Sequence, residues 1–144
     1  MERVEDCISF LIGKAAQQVA RRARDLLAPH GVTPVQYAVL KVLPVAGGIA
    51  GAEIGVRLVL DSASVTGVID RLEAAGLIER RFDPNDRRIR LIAATPRARN
   101  LLPELDAQMD RLNGEAGAAI GEGAEAFLRT LRRLGSERHW GGDV

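Results

Sequence analysis

The chain has 144 residues, of which 47% are hydrophobic and 27% charged, and its formal net charge is +1. These values are ordinary for a soluble globular protein with one domain, or with a small domain plus a dimerisation element. No apolar run approaches the roughly 20 residues that span a bilayer, and the N-terminus lacks the order of a signal peptide. Together with the single cysteine, Cys7, this predicts a cytoplasmic protein without a membrane partner.

The first third of the chain predicts two helices. Apolar residues recur at helical spacing from residue 4 to about residue 28, which predicts one long amphipathic helix that ends at Pro29-His30-Gly31. Thr33-Pro34-Val35-Gln36 predicts the start of a second helix. Thr33 is its expected N-cap, proline takes the first helical position, and Gln36 completes a capping box.

The middle of the chain predicts a pair of helices joined by a tight turn. A short helix is expected over about 52–58, with Val59-Leu60 as the turn. Asp61 is the expected N-cap of the next helix, with Ser62 as the other candidate. The apolar stripe of this helix consists of Val65, Val68, Ile69 and Leu72. Gly76 is expected to end it as a left-handed residue that folds Leu77 back onto Leu72.

The periodicity then changes from helical to strand-like. Residues 77–82 and 87–94 predict two strands of a hairpin, joined by a turn over 83–86. Thr95-Pro96 predicts the N-terminus of another helix, and Pro103 is expected to kink this helix without ending it. A final apolar stripe extends to Leu134. The predicted fold is therefore mainly α with a small β-hairpin, an α+β winged helix-turn-helix.

The charge distribution and the fourth helix together indicate nucleic-acid binding. Residues 80–99 contain seven arginines against two aspartates, a local net charge of +5. On charge alone this fits a phosphate-binding surface and an ordinary solvated basic face equally well. The outer face of the fourth helix carries small side chains, which allow close approach to a groove. The predicted DNA-binding residues are Ser62, Ala63, Ser64, Thr66, Gly67 and Arg71 of this helix, and Arg87 and Arg88 of the hairpin.

These segments resemble the multiple-antibiotic-resistance regulator (MarR) family. Residues 61–80 are similar to that family's recognition helix and first wing strand, and Asp83-Pro84-Asn85-Asp86-Arg87-Arg88 is similar to its wing tip. The family's wing motif is present as Asp86, Arg88 and Ala94-Thr95, with alanine at positions 94 and 98 in place of leucine and glycine. Thr33-Pro34-Val35-Gln36-Tyr37 resembles the start of the family's second helix.

The resemblance implies a homodimeric transcriptional regulator. It implies dimerisation helices over 1–30 and 98–138, a winged helix-turn-helix over 31–97, and we expect a flexible tail over 139–144. Each protomer would place one recognition helix in a major groove, on a pseudo-palindromic operator with half-sites about one helical turn apart. Arg88 would reach the minor groove. Asp86 is expected to stabilise the wing by pairing with an arginine, with Arg71 as a candidate partner.

The resemblance also implies release from DNA by a small molecule, with repression as the default. Aromatic acids and acyl-CoA thioesters are typical effectors of the family. The corresponding region here is the first helix and the start of the second, with Arg21 or Arg22 as the counter-charge for an acid. The candidate effector-binding residues are Phe10, Lys14, Gln17, Arg21, His30 and Tyr37.

Other functions are less well supported by the residues. Cys7 could sense oxidants, but its position on an apolar stripe favours an unreactive thiol. His30 and His139 lack the spacing of a zinc site, and no catalytic constellation or cofactor motif indicates an enzyme. A winged-helix module for protein contacts without DNA binding is the alternative from another class, and the wing arginines argue against it.

Overall fold

The computed structural model describes residues 3–136, which form six α-helices and a three-stranded antiparallel sheet. In chain order these are α1 (Ile8–Leu27), α2 (Pro34–Val42), β1 (Ile49–Ala50), α3 (Gly51–Leu58), α4 (Ser62–Ala74), β2 (Ile78–Phe82), β3 (Arg90–Ala94), α5 (Pro96–Ile120) and α6 (Ala124–Leu134). The predicted fold class is confirmed. The predicted tail over 139–144, His139 and the last two residues of the segment 98–138 lie outside the described residues.

The first helix is shorter than its apolar pattern predicts. Val4–Asp6 forms a separate 3-10 turn, and Cys7 is extended before α1 begins at Ile8. A second 3-10 turn over Ala28–His30 follows α1. The prediction of one helix from residue 4 was wrong because a single extended residue interrupts the backbone hydrogen bonds without disturbing the spacing of apolar side chains.

Local capping signals give the boundaries of α2 and α4. The predicted capping box is confirmed, because Gln36 N–H donates to Thr33 Oγ1 and the Gln36 side chain accepts from Thr33 N–H. Asp61, the preferred candidate, caps α4. Gly76 is left-handed with φ of 70°, and Leu77 N–H donates to the Leu72 carbonyl, which confirms the predicted C-terminal motif.

The sheet has one strand more than the predicted hairpin. The strand order is β1-β3-β2, and Ile49 of β1 lies opposite Ile92 of β3. β3 begins at Arg90 and not at residue 87, because Ile89 N–H donates to the Asp86 carbonyl and so belongs to the turn. The wing tip is therefore a longer loop than the sequence predicted, and it carries Arg87 and Arg88.

One apolar core joins the winged domain to the start of α5. Its fully buried members are Leu27, Val39, Leu40, Ile54, Leu72, Leu105 and Ala98. Pro103 lies inside α5, which is assigned as one helix from Pro96 to Ile120, so the expectation that Pro103 does not end the helix is confirmed.

The terminal helices contribute little to this core. Within α1, burial is confined to Ala23, Leu26 and Leu27 near its C-terminus, and α6 has no buried residue. Phe10 and Cys7, which the helical pattern placed on a buried stripe, are exposed and half-buried respectively. The apolar residues of α1 do share one face of the helix, but in the single chain the first half of this face is exposed and does not contact the core.

Candidate nucleic-acid interface

The N-terminus of α4 is fixed by the Asp61 carboxylate. Asp61 Oδ1 accepts from Ser64 N–H at 2.8 Å, and Oδ2 accepts from the Ser64 hydroxyl at 3.0 Å. These hydrogen bonds, the backbone one first, lower the pKa of Asp61. Asp61 therefore stays ionised and satisfies a terminal N–H of the helix, which rigidly positions the residues that follow it.

The two faces of α4 differ as predicted. Val65, Val68, Ile69 and Leu72 are buried. On the other side Ala63, Thr66 and Asp70 are exposed, and Gly67 is half-buried. The Thr66 hydroxyl donates to the Ser62 carbonyl at 2.9 Å, so it is already satisfied within the helix. The outer face is thus narrow and accessible, as a helix that enters a groove requires.

Arg80 of β2 connects the wing to α4. Its guanidinium donates to Asp70 and to Glu73, both on α4, and this contact with Asp70 is the main reason that the pKa of Arg80 is raised. The bridge sets one positive charge against two carboxylates close to the outer face of α4, so it offsets part of their negative charge. Sequence analysis missed it, because the three residues lie seven and ten positions apart across the turn at Gly76.

The wing tip is organised by two aspartates. Asp83 Oδ1 accepts from Asn85 N–H at 2.8 Å, and Asp86 Oδ1 accepts from Arg88 N–H at 3.0 Å. Asp86 therefore contacts the backbone of the loop. The expected ion pair between Asp86 and Arg71 is not formed within residues 3–136. The role of Asp86 in stabilising the wing remains a prediction, now through a backbone hydrogen bond.

The arginines of residues 80–99 fall into two groups. Arg81 pairs with Glu79, Arg97 donates to the Ala75 carbonyl, and Arg99 donates to the Ala94 carbonyl. The Arg90 guanidinium lies 4.2 Å from the centre of the Phe82 ring. By contrast, the exposed Arg87 and Arg88 side chains make no hydrogen bond or ion pair in the described part of the chain.

The six candidate effector residues are spread over two regions. Phe10, Lys14, Gln17 and Arg21 are exposed along α1. Tyr37 and His30 instead face α5, where the Tyr37 hydroxyl donates to Asp106 at 2.8 Å and His30 Nδ1 lies 3.4 Å from Glu104. The structure thus does not bring the six together around one enclosed cavity in the described chain.

Polar contacts around the predicted effector region involve residues that the sequence did not single out. Burial of the Tyr37 hydroxyl and, to a smaller extent, its hydrogen bond with Asp106 raise the pKa of Tyr37 to about 12. Arg22 binds the Glu115 carboxylate of α5 through two hydrogen bonds of 2.7 Å, which holds the pKa of Glu115 at about 2. Arg22 is therefore occupied, and Arg21 is the less committed of the two candidate counter-charges.

A large cleft lies elsewhere, between α3, α4 and the sheet. Its volume is about 870 Å³, and its lining includes Val56, Val59, Thr66, Arg80 and Arg90. None of the six candidate effector residues lines it.

A metal centre requires a cluster of ligating side chains, and a membrane span requires a long apolar helix. No group of three His, Cys, Asp or Glu side chains is placed to hold a metal ion within residues 3–136. The helices of this part of the chain include none that is long and apolar enough to cross a membrane.

A helix-turn-helix with an accessible second helix, followed by a hairpin with unpaired arginines at its tip, defines a winged helix-turn-helix DNA-binding protein. A model of the MarR family matches residues 30–89. The chain is 35% identical over 138 residues to the transcriptional regulator TtmR of Methylorubrum extorquens, covering 96% of this chain and 70% of that protein. The chain belongs to the MarR family, whose members are transcriptional regulators and not enzymes.

Solved structures agree with this assignment. A probable transcriptional regulator from Pseudomonas aeruginosa is 32% identical, with a TM-score of 0.84 over 92% of this chain and 99% of that one. CouR from Rhodococcus jostii, bound to p-coumaroyl-CoA, is 28% identical with a TM-score of 0.84 over 100% of this chain and 99% of that one.

Proposed function

We propose that this regulator is a homodimeric repressor that leaves a pseudo-palindromic operator when it binds a small acidic effector. The observation that carries the proposal is the apolar surface of the terminal helices. Ile8 and Leu11 of α1 are 59% and 50% exposed, and Phe127 and Leu128 of α6 are 44% and 46% exposed. Apolar surface of this extent on the terminal helices is typical of a protein interface.

The dimerisation segments are proposed to be 1–30 and 98–138, around a DNA-binding domain over 31–97. Two-fold symmetry would place two copies of α4 about one helical turn of DNA apart, roughly 34 Å. Ser62, Ala63, Ser64, Thr66, Gly67 and Arg71 would face the major groove, with Arg87 and Arg88 on the flanking backbone and minor groove. The protein would act in the cytoplasm, where it meets its operator.

The effector is proposed to be an aromatic acid or its CoA thioester. CouR, which is 28% identical, binds p-coumaroyl-CoA, and the exposed Lys14 and Arg21 of α1 offer positive charge for a carboxylate or phosphate. Phe10 and Gln17 of the same helix would line the binding site. Tyr37 of α2 and His30 of the turn before it would contact the effector from the opposite side. Dimer formation would supply the second wall that the single chain lacks.

The dimer is tested first. Leu128→Glu places a charge in the proposed interface and is expected to convert the protein to a monomer in analytical ultracentrifugation, with loss of binding to duplexes selected from a randomised library. Thr130→Glu adds the same charge at another exposed position of α6 and is the matched control. A wild-type protein that sediments as a monomer at micromolar concentration would contradict the proposal.

The effector is tested on the same selected duplex. Titration with p-coumaroyl-CoA, and separately with p-coumarate, is expected to release wild-type protein in a gel shift, and Arg21→Ala is expected to need more of the ligand. If neither compound changes binding at saturating concentrations, these two members of the proposed class are excluded.

A further inference from the structure

Most polar side chains on α4 already have partners within the protein. Ser64 is bound to Asp61, Thr66 donates to the Ser62 carbonyl, and Asp70 is bound to Arg80. Arg71 is different, because its side chain is exposed and makes no hydrogen bond or ion pair with residues 3–136. It is therefore the cationic side chain of α4 that is free to bind another molecule.

The Arg71 guanidinium lies over Gly67, one helical turn earlier. A Cβ atom added at Gly67 would be 3.3 Å from Arg71 Nη2, and no other side chain would lie within 4 Å of it. Helical side chains lean toward the N-terminus, so a residue covers the surface one turn before its own position. Because Gly67 has no side chain, Arg71 lies a few tenths of an ångström closer to the helix than a Cβ atom would allow.

This position is on the part of α4 that is farthest from the core. Gly67 lies opposite the buried face formed by Val65, Val68, Ile69 and Leu72. The neighbouring side chain on the same outer surface is Ala63, which is small and exposed. A guanidinium over Gly67 therefore faces outward from the middle of the helix, where the floor of a major groove would be, and not from its flank.

We propose that Arg71 recognises a guanine in the major groove, and that Gly67 leaves room for the guanidinium beside the helix. The inference rests on the proposed contact between α4 and DNA. Guanine presents two acceptors in the major groove, O6 and N7, and the planar guanidinium fork donates to both at once. Arg71 itself is in the last turn of α4, but its guanidinium over Gly67 lies opposite the buried face of the helix, a position more suitable for a base than for a phosphate beside the helix.

The first experiment compares duplexes selected from one randomised library by wild-type protein, Arg71→Ala and Arg71→Lys. Wild type is expected to enrich a guanine at one position in each half-site, and Arg71→Ala is expected to lose that preference while the rest of the site persists. Arg71→Lys keeps the charge but not the fork, so it is expected to retain salt-dependent binding with a weaker preference for guanine.

The second experiment removes the acceptor from the base instead of the donor from the protein. Replacing the selected guanine with 7-deazaguanine is expected to weaken wild-type binding on the order of 10-fold, and to leave Arg71→Ala binding unchanged. An equal loss for both proteins would overturn the proposal, as would the same guanine preference in both selections. If wild type enriches no sequence at all, the proposed DNA contact of α4 fails instead.

The role of Gly67 is tested by Gly67→Ala. Alanine in a helix interior is favoured over glycine, so the thermal midpoint of the free protein is expected to rise by about 2–6 °C. An added Cβ moves the guanidinium by a few tenths of an ångström, so the preference for guanine is expected to weaken but to stay above that of Arg71→Ala. Gly114→Ala in α5, where nothing lies within 4 Å of an added Cβ, is the matched control for stability. Because Gly114 lies in a proposed dimerisation segment, analytical ultracentrifugation checks that this variant keeps the oligomeric state of wild type. A Gly67→Ala protein with unchanged guanine preference would show that the room is not needed.

Discussion

The arginines at the tip of the wing and those at its base carry the same charge in different surroundings. At the base, Arg80 binds two carboxylates of α4, and Arg97 and Arg99 donate to main-chain carbonyls. At the tip, Arg87 and Arg88 are exposed and have no such partner in the described chain. The base arginines hold the wing on the domain, and the tip arginines remain available to phosphates.

The comparison shows that a count of basic residues overestimates a phosphate-binding surface. The argument from seven arginines against a protein-interaction role is weaker than the sequence suggested, because Arg80 and Arg81 are paired with carboxylates. What distinguishes a DNA-binding wing is the position of the free arginines at the tip. Substitution of one arginine from each group, with the same loss of charge, can separate the two roles.

Arg88→Ala is expected to have the largest effect on DNA binding. A dimer would lose two phosphate contacts, so the slope of log affinity against log salt concentration should become less steep by about 2. Affinity should fall for all duplexes alike, because a phosphate contact carries no sequence information. Fluorescence anisotropy at four or more salt concentrations measures both quantities.

The stability of this variant serves as its control. Since the Arg88 side chain has no partner within residues 3–136, the midpoint of thermal unfolding should not change. A lower midpoint together with an unchanged salt slope would show that Arg88 stabilises the fold, as the arginines at the base of the wing do. The distinction between arginines at the tip and at the base of the wing would then fail.

Arg80→Ala is expected to have an intermediate effect. Its loss leaves Asp70 and Glu73 uncompensated on α4, where they would repel the phosphates of a bound duplex. We expect several-fold weaker binding and a loss of about 1 kcal/mol in the free energy of unfolding, since both ion pairs are largely exposed.

The double variant Arg80→Ala, Asp70→Asn separates charge from position. If neutralisation is the role of Arg80, removing one carboxylate should recover much of the lost affinity in the same anisotropy assay. Binding that stays weak would mean that Arg80 acts by holding the wing at its angle to α4.

Local signals in the sequence predicted the helix boundaries well and the sheet less well. The capping box at Thr33 and the C-terminal motif at Gly76 each involve residues within six positions of one another. A short stretch of sequence therefore contains all the information that predicts them. The strand Ile49–Ala50 was missed because it is two residues long and pairs with Ile92, far away in sequence. No periodic pattern can be recognised over two residues.

In the candidate site, too, the features that depend on nearby residues could be predicted from the sequence and those that depend on distant residues could not. The outer residues of α4 follow from helical periodicity once its buried stripe is known. Which arginines are free does not follow, because Arg97 and Arg99 find acceptors that only the folded chain provides. The interaction of Arg71 with Gly67 was accessible from the sequence, since residues four apart share a helix face. The missing information was that Arg71 has no competing partner among the residues that the structure describes.

Arg99→Ala is expected to have the smallest effect on DNA, although it removes the same charge as Arg88→Ala. Arg99 Nη1 donates to the Ala94 carbonyl at 2.6 Å, where β3 meets α5. Losing this hydrogen bond should lower the free energy of unfolding by about 1 kcal/mol, measured by urea denaturation. The salt slope of DNA binding should equal that of wild type, because no phosphate contact is lost. A slope reduced as in Arg88→Ala would show that the charge alone matters, wherever it lies on the wing.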